Sequence, residues 1–129
     1  MVRAIYSSRA AQHHNPVPNA AVRNGLMMTS GILGKDLETD DYPKEREKQV
    51  ALVFKHVVAI LEDAGAGLQD VIKVDLYFAD KTDRTMANQH WERLWPDPAH
   101  RPARQAHQVE LPQGCCLQAA VTAMLAEPK

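Results

Sequence analysis

Val71-Ile72-Lys73-Val74-Asp75-Leu76-Tyr77-Phe78 is the stretch that decides the fold. Ile72, Val74, Leu76 and Phe78 fall on one side of a two-residue alternation and Lys73, Asp75 and Tyr77 on the other, as in a strand with one dry face and one wet face. Just upstream the period becomes helical. Val50, Val53, Phe54, Val57, Val58, Ile60, Leu61 and Ala64 make an apolar stripe opposite Lys48, Lys55, Glu62 and Asp63, and Gly65 and Gly67 stop it.

Downstream, Thr82 or Asp83 is placed to cap a second helix carrying Met86, Ala87, Trp91 and Leu94, which Pro96 and Pro98 end. Two strands follow, roughly 103–109 and 115–125, joined by a Pro-Gln-Gly turn. Toward the N-terminus lie short apolar runs at Ala4-Ile5-Tyr6, Ala20-Ala21-Val22 and Leu26-Met27-Met28, the last two separated by the hairpin signal Asn24-Gly25. Residues 31–43 read as an acidic, turn-rich loop that could flank a site. The order predicts an α+β domain with a mixed sheet of about six strands and two helices on one face. Its other face must be solvated or buried against another copy.

At 129 residues and 45% hydrophobic content the chain is one domain, 1–129. Its 15 basic and 16 acidic residues leave a formal charge of −1 without a dense basic run, so composition gives no reason to expect nucleic acid or an anionic membrane as partner. No apolar segment has the length of a secretory signal or a membrane span, and a soluble cytoplasmic protein is expected. Adjacent Cys115 and Cys116 would point to opposite sides of a strand, which suits two free thiols better than a disulfide.

The chemistry concentrates between Arg101 and Gln118. Arg104 offers a carboxylate two parallel donors from a rigid fork; the alternative is an ion pair with Glu110 or a carboxylate across an interface. Gln118 cannot take up a proton, so it orients water through its carbonyl or simply pairs with a neighbour. Cys116 shares strand parity with Gln118 and is a candidate to line the same cleft, against a reading as a small buried hydrophobe. Arg101 reads as a turn residue. His107 should point away from Arg104, and His14 as an exposed loop residue. The six histidines show no metal-ligand spacing, and Trp91 and Trp95 fit packing better than base stacking.

An ordered set of short matches spans Pro16 to Leu125. It comprises Ala21-Val22 with Gly25, Thr29-Ser30-Gly31, Gln49, Ala64-Gly65, Asp70-Val71-Ile72-Lys73-Val74, Asn88, Pro102-Ala103-Arg104 and Leu111-Pro112. Through these the chain resembles the RidA or YjgF family of reactive-intermediate deaminases, some of which are called endoribonuclease L-PSP. The resemblance implies a chorismate-mutase-like homotrimer with ligand clefts between subunits. It implies hydrolysis of small enamines or imines, including an aminomuconate-type substrate, to ketoacids and ammonia, without metal or organic cofactor. Arg104 would grip the substrate carboxylate, with Ser30, Gly31 and Asn88 near the cleft or its support. Two positions depart from the pattern: Gln118 stands where deaminating members carry a glutamate, and Pro18 where a loop tyrosine is expected. The same cleft without turnover would make a non-catalytic small-acid-binding or regulatory trimer. An endoribonuclease or translation inhibitor would need basic and acid-base groups converging on a groove.

Overall fold

The computed structural model describes residues 1–126. In chain order its elements are β1 (Arg3–Ile5), β2 (Ala20–Arg23), β3 (Leu26–Thr29), β4 (Ile32–Leu33), α1 (Arg46–Ala64), β5 (Val71–Phe78), α2 (Arg84–Leu94), β6 (Ala103–Gln108) and β7 (Leu117–Met124). They form a seven-stranded mixed sheet in the order β1-β2-β3-β7-β5-β6, with β4 also pairing with β7. Only β5 and β6 run parallel; the other pairs are antiparallel. The seventh strand is β4, a two-residue piece inside the segment expected to be all loop.

Val74, Leu76 and Phe78 of β5 are fully buried with Leu117, Ala119, Val121 and Ala123 of β7, under the apolar stripe of α1. The expected alternation fails at one residue. Val71 pairs with Ala123 and Lys73 with Thr122, so Ile72 is an extra residue in a bulge. Val71 takes the core position and Ile72 is turned out, 53% exposed. The hairpin at Asn24-Gly25 forms as its sequence predicts, with φ of 51° and 82°. The second helix begins differently: the Asp80 carboxylate accepts from the Thr82 backbone N–H and caps a short 3₁₀ turn over 81–83, which leads into α2. Trp91 and Trp95 pack with their ring centres 4.8 Å apart and their planes tilted by 51°, and the Trp95 indole donates to the Leu68 carbonyl.

Both helices cover the same face. The other carries a polar row, where Lys73 lies 3.6 Å from Asp75 and His107 lies 3.1 Å from the same carboxylate with its ring stacked on Tyr77. Beside it runs an apolar row of exposed Leu26, Met28, Ile72 and Met124. No helix among the described residues is long and apolar enough to cross a membrane.

Candidate functional site

Arg104 sits on β6, an edge strand, in register with Val74, which turns its side chain to the helix-covered side. There it lies against α2. One guanidinium nitrogen donates to the Asn88 amide oxygen at 2.7 Å, and the guanidinium carbon stands 5.1 Å from the centre of the Trp91 ring. Partial burial, and secondarily the charge of Arg84, lower its pKa from the usual arginine value, though an arginine remains charged throughout the working pH range. Among the described residues no carboxylate lies within 4 Å of Arg104, so the expected alternative of an internal pair with Glu110 is not what this chain makes. Arg101 is tied to backbone instead, donating to the carbonyls of Trp95 and Pro96, as a turn residue would.

Gln118 belongs to the opposite side of the sheet. It pairs with Tyr77 of β5 and Leu33 of β4, and it shares the uncovered face with Tyr77. Its amide oxygen lies so close to Gly31 that a Cβ there would meet it at 2.7 Å; glycine leaves the space the carboxamide occupies. The Ser30 N–H donates to the Asn19 carbonyl, and the Asn19 side chain in turn binds the Ser7 and Ala11 backbone, so this corner is fastened to the N-terminal loop.

The cysteine nearest Gln118 is Cys115, not Cys116. Strand parity does not extend back to these residues, because β7 starts only at Leu117 after a turn. Cys116 is buried on the core side, its N–H donating to the Gln49 side chain, and burial pushes its thiol pKa up to about 11. Gln49 also donates to the Pro43 and Gly114 carbonyls, so one buried amide pins the end of the acidic loop and the turn before β7 to α1. Burial likewise raises the Cys115 thiol, which feels the side chains of Tyr42 and Gln118 and the charge of Lys35. Tyr42 is raised too, first by desolvation and then by Cys115. Lys35 reaches over the Tyr42 ring, 5.3 Å from its centre, with only 13% of its side chain exposed.

Cys115 therefore links Gln118 to Tyr42, over which Lys35 lies. Sequence reasoning missed Lys35, Tyr42 and Cys115. Their one signal was the loop that could flank a site, which holds Lys35 and Tyr42. A phenol does reach this region, from Tyr42 and not from the first loop, where Pro18 stands.

The predicted residues thus form two groups on opposite sides of one sheet. Arg104 meets Asn88; Gln118 meets Gly31 beside Ser30; Cys116 meets neither. His107 lies on the uncovered face, away from Arg104, and His14 is an exposed partner of Asp40 at 2.8 Å. Two concave surfaces of about 530 and 560 Å³ run along α1, and neither includes Arg104 or Gln118.

The comparisons with known proteins agree with this architecture. The family model described as endoribonuclease L-PSP matches residues 7–124, and the chain belongs to that family. Within it stand proteins with RutC and RidA names. A RutC family protein of Aquifex aeolicus is 32% identical over 103 residues, covering 80% of this chain and 82% of that one. The crystal structure of RidA from the Antarctic bacterium Psychrobacter sp. PAMC 21119 superposes with a TM-score of 0.87 at 28% identity, covering 95% and 99% of the two chains. TdcF of Escherichia coli, solved with bound serine, shares the fold at a TM-score of 0.85 and 24% identity, covering 96% and 99%.

Proposed function

We propose that this chain is a RidA-type hydrolase that deaminates small carboxylate-bearing enamines or imines, an aminomuconate-type compound among them, to ketoacids and ammonia. The observation that carries the reading is Arg104: a half-buried guanidinium oriented by Asn88 and Trp91, with no carboxylate partner among the described residues. Such a group is ready for an organic acid, and it matches a carboxylate two donors to two acceptors.

The opposite placement of Arg104 and Gln118 supports a site shared between copies. Neighbouring protomers in a trimer, each presenting its uncovered face, would bring Gln118 of one near the β6 edge of the next. A protonated imine is already electrophilic. Water adds to its carbon, the protons it gives up end on the nitrogen, the carbon–nitrogen bond of the adduct breaks, and ammonia leaves as ammonium with a ketoacid behind. Gln118 can accept a hydrogen bond from that water and hold it, but cannot remove the proton. Compared with a carboxylate at this position, the rate should fall by about 10²–10⁴-fold. We place this activity in the cytoplasm, with no metal or organic cofactor.

Gln118 also favours a second reading, a trimer that binds small acids without turning them over. The endoribonuclease activity in the family's description finds less support, since a formal charge of −1 supplies no basic groove for a phosphate backbone. One experiment separates the first two readings: calorimetric binding of small ketoacids together with ammonia release from freshly generated imino acids. Wild type should bind and release ammonia slowly, Arg104→Ala should lose both, and Gln118→Glu should gain about 10²-fold or more in rate. Unchanged binding in Arg104→Ala would sink the site. Binding without ammonia release in wild type and Gln118→Glu alike would leave the non-catalytic reading.

A further inference from the structure

Arg104 is not the only guanidinium at its site. Arg84 opens α2, and Asn88 follows it by one helical turn, so both stand on the same strip of that helix. Asn88 is the residue whose amide oxygen holds Arg104, so Arg104 docks one helical turn from Arg84. Their proximity is also visible in Arg84's charge acting on Arg104.

Acidic residues nearby do not neutralise this pair. Asp83, adjacent in sequence, is buried and committed to Arg46 at 3.3 Å. Asp80 accepts from the N–H and hydroxyl of Thr82. Among the described residues no carboxylate lies within 4 Å of Arg84 or Arg104. Two like charges brought together without a counter-ion repel each other, and one of them is partly desolvated, which sharpens the cost. A bound anion turns that repulsion into attraction.

A single carboxylate is fully matched by one guanidinium fork, so it leaves the second arginine without use. We infer that Arg84 is a second anion-contacting, specificity-determining residue, and that the ligand of this site is a small dicarboxylate, one carboxylate on Arg104 and the other on Arg84. The inference rests on the reading of Arg104 as a carboxylate anchor and narrows the proposed acids to diacids, the class to which an aminomuconate-type compound belongs, with Arg84 as the residue that selects it.

The test uses the full chain and two five-carbon ketoacids that differ only in a terminal carboxylate, 2-oxoglutarate and 2-oxopentanoate, titrated calorimetrically at one fixed ionic strength. Wild type should bind 2-oxoglutarate about tenfold more tightly. Arg84→Gln should weaken the diacid alone and erase the difference, Arg84→Lys should keep part of it, and Arg104→Gln should weaken both acids. Equal affinities in wild type, or a preference that survives Arg84→Gln, would overturn the role of Arg84 while leaving Arg104 as the anchor, provided Arg104→Gln still weakens both. If neither acid binds wild type, the anchor itself fails and the diacid inference goes with it.

Discussion

On one face of the sheet Val74, Leu76 and Phe78 meet α1 and have almost no surface left, whereas on the other Leu26, Met28, Ile72 and Met124 keep between 41% and 56% of theirs. The cross-strand register sets these four side by side: Leu26 opposite Met124, Met28 opposite Thr122, and Ile72 in the bulge beside them. A contiguous apolar row of this kind, bordered by the polar Lys73, Asp75 and His107, has the make-up of an association surface. The contrast teaches that the covered face is complete within one chain, while the uncovered face keeps the apolar surface that the proposed trimer would bury. Division of the candidate site follows the same line, with Arg104 on the covered side and Gln118 on the uncovered one.

The strongest way to break this comparison is to charge the uncovered face. Met28→Glu combined with Ile72→Glu should convert the proposed trimer into monomers by sedimentation velocity and abolish ketoacid binding, while circular dichroism stays close to wild type. A double variant that sediments as wild type would show that this face is not the interface. The matching change on the covered face is Phe78→Ala, at a residue with no exposed surface. Leaving a cavity there should cost about 3–5 kcal/mol in urea unfolding. A loss of less than about 1 kcal/mol would mean the core under α1 is far more deformable than its burial implies.

Much of the covered face was legible because it repeats: the stripe of α1 and the alternation of β5 are each set by several residues that agree. What periodicity could not show was the bulge, since an inserted residue leaves Val71, Ile72 and Val74 all apolar and gives no sign of which turns outward. β4 escaped notice for a similar reason, two residues being too few to carry a period. At the site, Arg104 was legible from its short motif. The resemblance set Asn88 near the same cleft, but its hydrogen bond to Arg104 depends on α2 folding back over an edge strand, a long-range event that no local pattern reports. The Cys115–Cys116 assignment went wrong where alternation was extended past the end of a strand into a turn.

A smaller effect sharpens the comparison from the covered side. His56 on α1 is 1% exposed, and its Nδ1 donates to the carbonyl of Leu33, the β4 residue that pairs with Gln118. Burial holds its pKa below the ordinary histidine value of 6.5, more strongly than the Leu33 contact raises it. As pH falls below that value the unfolded chain takes up a proton that the folded chain resists. The unfolded state then binds more protons, so the stability from the neutral imidazole is fully present above the unfolded pKa and is lost as pH drops toward the folded one. The loss can reach about 1.4 kcal/mol per pH unit for one group. His90, stacked on Phe54 and likewise lowered by burial, adds to it with the same sign. Urea unfolding at pH 7.5, 6.5 and 5.5 should therefore show stability falling on the acid side. His56→Asn, which keeps an amide donor and cannot titrate, should start less stable and fall less steeply. A variant as steep as wild type would mean that the acid sensitivity lies elsewhere than beneath α1.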